Sequence, residues 1–192
     1  MPGFRYRAFI SYSHADRRWG RWLHRNLEGY RVPRKLVGMA GAEGPVPARL
    51  TPIFRDLDDL PAGSDLTQEV QAALRDSRFL VVICSPSSAR SKWVNQEILH
   101  FKRLHGEGRI LAAIVDGEPF AVDMPGQEGR ECFPEAIRFR LDDSGGLSDR
   151  RIEPIAADFR PGRDGRKYGR SKLAAGLLGL KLDDLVRRES QR

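Results

Sequence analysis

The sequence predicts a doubly wound α/β sandwich, a parallel sheet with helices on both faces. Two short apolar runs without polar alternation, Phe79 to Cys84 and Ile110 to Val115, read as strands buried on both sides, the second extending to Asp116. They alternate along the chain with stretches of helical periodicity, which is the order that parallel sheets require. At 192 residues, 40% hydrophobic and 31% charged, the chain is long enough for one well-buried core, and a single domain over 1–192 is expected.

Tyr6 to Tyr12 (YRAFISY) is rich in aromatic and β-branched residues and forms the first predicted strand. Asp16 then stands where it can cap a helix whose apolar stripe is Trp19, Leu23 and Leu27, widened by Trp22 and Tyr30. Val32 to Pro52 is full of Gly and Pro, lacks apolar periodicity and reads as a long surface loop. A short strand follows at Ile53 to Asp56. The turn formers Asp58, Asp59, Pro61, Gly63 and Ser64 then lead to Asp65, which has capping-box spacing to Gln68, ahead of a helix burying Leu66, Val70 and Leu74.

After the run ending at Cys84, Ser85-Pro86-Ser87-Ser88 breaks the strand and a helix is expected from Arg90 to His105, with Val94, Ile98 and Phe101 facing the core. Gly106 and Gly108 end it. Glu118 to Gly146 yields no clear assignment. Ile152 to Ala157 fits a final strand, and Ser171 to Arg188 fits one helix with Leu173, Leu177, Leu178, Leu182 and Leu185 on its apolar face, Gly176 and Gly179 allowing close packing.

Net charge is +7, which suggests nucleic acid as a partner. Its placement argues otherwise. From Arg160 to Arg192 ten Lys or Arg stand against four Asp or Glu, a net of +6, so the rest of the chain is nearly balanced. A solvated helix face and basic tail account for this, with membrane-surface or polyanion contact of the tail as the alternative. The apolar runs are far shorter than the roughly 18 residues that span a bilayer, and the N-terminus lacks a signal-peptide pattern, so a cytoplasmic location is expected. Two cysteines, Cys84 and Cys132, offer no disulfide framework, and the four histidines do not join them at metal-ligand spacing. The central strand runs into Cys84-Ser85-Pro86 rather than a phosphoacceptor aspartate, which disfavours a response-regulator receiver.

Ligands of doubly wound sheets bind outside the carboxyl ends of the strands. Here those ends are Ser11 to Asp16, Asp56 to Ser64, Ser85 to Glu97 and Asp116 to Pro119. Within SKWVNQE, Trp93 and Glu97 are four residues apart on the predicted helix, about 6 Å at Cβ. An aromatic plate beside a carboxylate suits a flat cationic ring and chemistry on the sugar attached to it.

FISYSHAD, IFRDLDDLPAG and SPSSARSKWVNQE, in this order at the ends of predicted strands, resemble the successive motifs of a Toll/interleukin-1 receptor (TIR) domain, clearly over about 4–116. The resemblance implies a flavodoxin-like sheet of five parallel strands. Trp93 and Glu97 match the family's W-x-x-x-E arrangement and imply its bacterial, NAD⁺-cleaving branch. Glu97 is then the expected catalytic residue, Trp93 the surface that stacks on nicotinamide, and Tyr12, Ser13, Phe54 and Asp56 the lining of the pocket.

No cofactor is implied, since NAD⁺ is the substrate; its nicotinamide is already cationic and departs without a proton, so one carboxylate can be enough. Self-association with other TIR domains is expected through the loop carrying Asp58, Leu60, Pro61 and Gly63. The resemblance also implies a signalling or cell-suicide role in antiphage defence, with a fused or separate sensor and this domain as the N-terminal part of a longer protein. A non-catalytic TIR–TIR adaptor is the competing expectation.

Overall fold

The computed structural model describes residues 3–56 and 65–191. Its centre is a five-stranded, all-parallel sheet built from β1 (Tyr6–Ser11), β4 (Ile53–Arg55), β5 (Ser77–Cys84), β6 (Ile110–Ile114) and β9 (Ile155–Asp158). Across the sheet the strands run in the order β4-β1-β5-β6-β9. β5 lies in the middle with every residue from Phe79 to Cys84 buried, as its unbroken apolar run requires.

Successive side chains of a strand point to opposite faces, and the two cores follow that alternation. Ala8, Ile10, Val81, Ile83 and Leu111 join one core with Leu23 and Leu27 of α1 (Arg17–Glu28). α6 (Gly165–Leu178) and α7 (Leu182–Glu189) cover the same face through Leu173, Leu177 and Leu185. Phe9, Leu80, Val82 and Cys84 join the opposite core with Val70 and Leu74 of α2 (Gln68–Arg75) and Val94, Ile98 and Phe101 of α4 (Lys92–His105). The one-turn α3 (Pro86–Ala89) links β5 to α4.

Several local expectations are corrected. Val32 to Pro52 is no solvated loop: Val32, Leu36, Val46 and Leu50 are all buried, and β2 (Ala40–Gly41) pairs with β3 (Gly44–Pro45) as a small hairpin. Their irregular spacing hides them from periodicity, because the segment packs as a folded flap and not as a helix or strand. The α2 cap is Thr67, whose side chain accepts the Val70 N–H, and not Asp65.

Ser171 to Arg188 is two helices and not one. The break falls at Gly179, which takes the left-handed conformation (φ 68°) that ends helices, while Gly176 lies so close to Leu111 that a Cβ would sit 2.9 Å from it. Between Glu118 and Gly146 the chain forms two 3₁₀ turns and α5 (Glu135–Arg138), then enters a hairpin of β7 (Phe139–Leu141) and β8 (Leu147–Arg151). The final strand begins at Ile155, three residues later than expected.

Candidate active site

The carboxyl ends of β1, β4 and β5 converge on the start of α4. Ser91 caps this helix by accepting the Val94 N–H at 3.1 Å, and the helical rise then puts Trp93 and Glu97 on adjacent turns of one face. Glu97 turns inward and is only 1% exposed. Its Oε1 accepts a 2.8 Å hydrogen bond from the Ser11 hydroxyl at the end of β1. Its Oε2 is buried without a hydrogen-bond partner among the described residues.

Burial pushes the Glu97 carboxyl well above its ordinary pKa, the Ser11 hydrogen bond opposes this, and the nearby Asp56 charge adds to the rise. No salt bridge to Glu97 occurs among the described residues. The group is therefore poised to respond to any positive charge brought beside it.

Strand parity separates Ser11 from the expected Tyr12. Ser11 follows Phe9 onto the α4 face, whereas Tyr12 follows Ile10 onto the α1 face and packs its ring on Gly20, where a Cβ would lie 3.1 Å from it. From there the Tyr12 hydroxyl donates to the Asp56 carbonyl, tying the ends of β1 and β4 together. Burial raises the Tyr12 pKa, so it remains a donor. Trp93 is half-buried against the α4-side core. Phe54 is committed to packing: its ring stacks on Phe9 at 5.0 Å and meets Tyr6 edge-on at 5.3 Å.

Ser13 donates to Asp16 at 2.9 Å, and Ser85, at the end of β5, donates to the same carboxylate oxygen. Asp16 thus gathers two hydroxyls across the sheet. This corrects its expected role, since it makes no side-chain cap of α1. Asp58, Leu60, Pro61 and Gly63 lie outside the described residues.

Ser11, Ser85 and the bridging role of Asp16 were not foreseen. A signal for Ser11 existed: it is a polar residue on a strand face otherwise continued by Phe9, where a buried hydroxyl needs a partner. The partner's identity was not visible without the fold.

A family model described as TIR domain matches residues 8–142. The chain is 32% identical to a protein named NAD(+) hydrolase ApTIR, from Actinoplanes sp. (strain ATCC 31044 / CBS 674.73 / SE50/110), over 94% of its own length and 24% of that relative's. The chain therefore spans about a quarter of the curated relative. Among solved structures it is similar to the TIR domains of the activated Roq1 resistosome that recognises the effector XopQ, at 22% identity and a TM-score of 0.46, covering 65% of this chain and 66% of that one.

Proposed function

The chain belongs to the TIR domain family, and from that membership we propose that it is an NAD⁺ glycohydrolase with Glu97 as its catalytic residue. The observation that carries this is the buried Glu97 carboxyl, held through one oxygen by Ser11 while the other has no partner among the described residues. The name of the Actinoplanes relative supports the substrate.

The nicotinamide ring of NAD⁺ is cationic. When its bond to ribose breaks, the bonding electron pair passes to the ring nitrogen, and nicotinamide leaves neutral without needing a proton. Ordinary glycosidases need a second carboxyl group to protonate the leaving oxygen, and this reaction does not. One carboxylate is enough to stabilise the positive charge that develops on the ribose, and it acts most strongly where water is excluded.

Glu97 occupies such a place. In the resting site burial disfavours its anion. The arriving pyridinium cation offsets that penalty, so substrate binding favours the catalytic form of the carboxylate. Trp93 stacks on the nicotinamide, a contact of about 0.5–2 kcal/mol. Ser11 orients Oε1 and leaves Oε2 for the ribose. Tyr12, Ser13 and Asp56 shape the end of β1 and β4, and Phe54 supports them from the core. The ribosyl cation is captured by water to give ADP-ribose, or by a nitrogen of the adenine to give a cyclic isomer. No cofactor is required.

As an effector, this chemistry depletes NAD⁺, which fits cell suicide in antiphage defence, switched on by self-association through the loop at 57–64 under the control of a sensor. A non-catalytic adaptor gains nothing from a buried carboxyl with an unpartnered oxygen, which lowers stability. The test follows nicotinamide release by concentrated protein under crowding, beside Glu97→Ala. Turnover by the native chain and none by the variant is expected; equal turnover, or none by either, rules the reading out.

A further inference from the structure

At the far end of the sheet from Glu97, the folded flap, the turn after α1 and the last turn of α7 border an open cavity of about 640 Å³. α1 runs back from the carboxyl end of β1, so the residues following it lie at the amino ends of the strands, where Ile53 begins β4. Five cationic side chains line the cavity, Arg31, Arg34, Lys35, Arg49 and Arg188, and no carboxylate among the described residues does.

The frame behind these charges is built. Val32 N–H donates to the Ala48 carbonyl at 3.1 Å, and Arg31 and Arg49 stand opposite one another across an antiparallel bridge. Arg34 and Lys35 sit in a turn closed by Leu36 N–H on the Pro33 carbonyl at 2.9 Å. α7 is fixed beneath by buried Leu185 and by Glu189, which accepts from Tyr30 at 2.6 Å and from Ser171 at 2.7 Å.

The nearby acids are occupied elsewhere. Glu189 is held by those two hydroxyls, and Asp184 pairs with Arg187 at 3.0 Å. Arg34, Lys35, Arg49 and Arg188 form no salt bridge among the described residues; Arg188 donates only to Gln191, at 3.3 Å. A multiply charged anion in this cavity meets Arg34, Lys35, Arg49 and Arg188 together, and its oxygens accept charge-assisted hydrogen bonds from them.

We propose that this cavity is a binding site for a nucleoside polyphosphate, its phosphates held by Arg34, Lys35, Arg49 and Arg188 and its base against the exposed apolar side chains of Val37 and Ala48. The volume is that of a small-molecule site, and charged side chains around an apolar wall suit a ligand with both characters. Arginine forks suit phosphate in particular. A lipid headgroup shares the phosphate chemistry. A flat membrane surface, however, has no use for a concave site with an apolar wall. The site is remote from Glu97 and does not depend on the proposed NAD⁺ chemistry.

The experiment measures ATP and inorganic triphosphate binding by calorimetry to the native chain, to Arg34→Glu/Arg49→Glu and to Glu97→Ala. Native protein and Glu97→Ala are expected to bind ATP alike, more tightly than triphosphate. The double variant, altered only at exposed side chains, should lose at least tenfold in affinity while keeping its native circular dichroism. No saturable ATP binding below about 1 mM overturns the proposal. So does equal ATP affinity in the double variant, equal affinity for ATP and triphosphate, or capture on phosphatidylserine vesicles that ATP does not reverse.

Discussion

The Ser11 hydroxyl donates a 2.8 Å hydrogen bond to Oε1 of Glu97, joining the end of the first strand to a helix 86 residues further along. This bond favours the carboxylate, whereas burial disfavours it.

Replacing Ser11 with Ala removes that donor. The Glu97 pKa then rises further, so the acid limb of the pH–rate profile should move to higher pH. Hydrogen bonds to charged groups contribute about 1.5–3 kcal/mol, so nicotinamide release should fall by about 10- to 100-fold at neutral pH. A merely structural role for Ser11 would lower stability without moving the limb.

Glu97→Gln should abolish turnover yet stabilise the fold. The native Glu97 holds its proton to higher pH than an unfolded glutamate does. Between about pH 4.3, where the unfolded group ionises, and the raised folded value, the folded state binds more protons, so stability falls as pH rises. Glutamine removes that dependence. Thermal unfolding should show the variant level with the native chain below the window and increasingly more stable across it, by about 1.4 kcal/mol for each pH unit that the window spans.

Asp16→Ala removes the acceptor shared by Ser13 and Ser85, two groups at the ends of neighbouring strands. Urea unfolding should report a loss of about 1–3 kcal/mol, largely restored in Asp16→Asn, which keeps an acceptor oxygen.

Gly117 follows β6 at φ 84°, and a Cβ there would lie 2.5 Å from the Arg130 backbone carbonyl. That carbonyl is itself held by the Glu118 N–H at 2.8 Å. Gly117→Ala therefore combines a left-handed backbone with a collision that no side-chain rotation relieves, and should lower stability by about 2 kcal/mol or more in the same assay.

Much of the fold was legible in the residues. Phe79 to Cys84 and the run from Ile110 announced buried strands because a strand covered on both faces has no polar side to alternate with, although β6 ends at Ile114 and Asp116, expected as its last residue, is exposed. Trp93 and Glu97 could be put on one helical face, and that helix at the carboxyl-end rim of the sheet, from spacing and strand order. The buried flap at 32–52 escaped because its apolar residues follow no period. The break at Gly179 escaped because a glycine serves equally for close packing and for ending a helix.

Local sequence thus determined which stretches became the central strands and their flanking helices, and so which residues stand at the carboxyl ends of the sheet, because period and turn residues act over a few positions. Tertiary structure alone decided that Ser11 holds Glu97, that Tyr12 turns away to grip the Asp56 carbonyl and that Asp16 serves two strands. It also brought cations from both halves of the chain around one cavity. These partners lie far apart in sequence, and only strand order and the parity of each side chain bring them into reach.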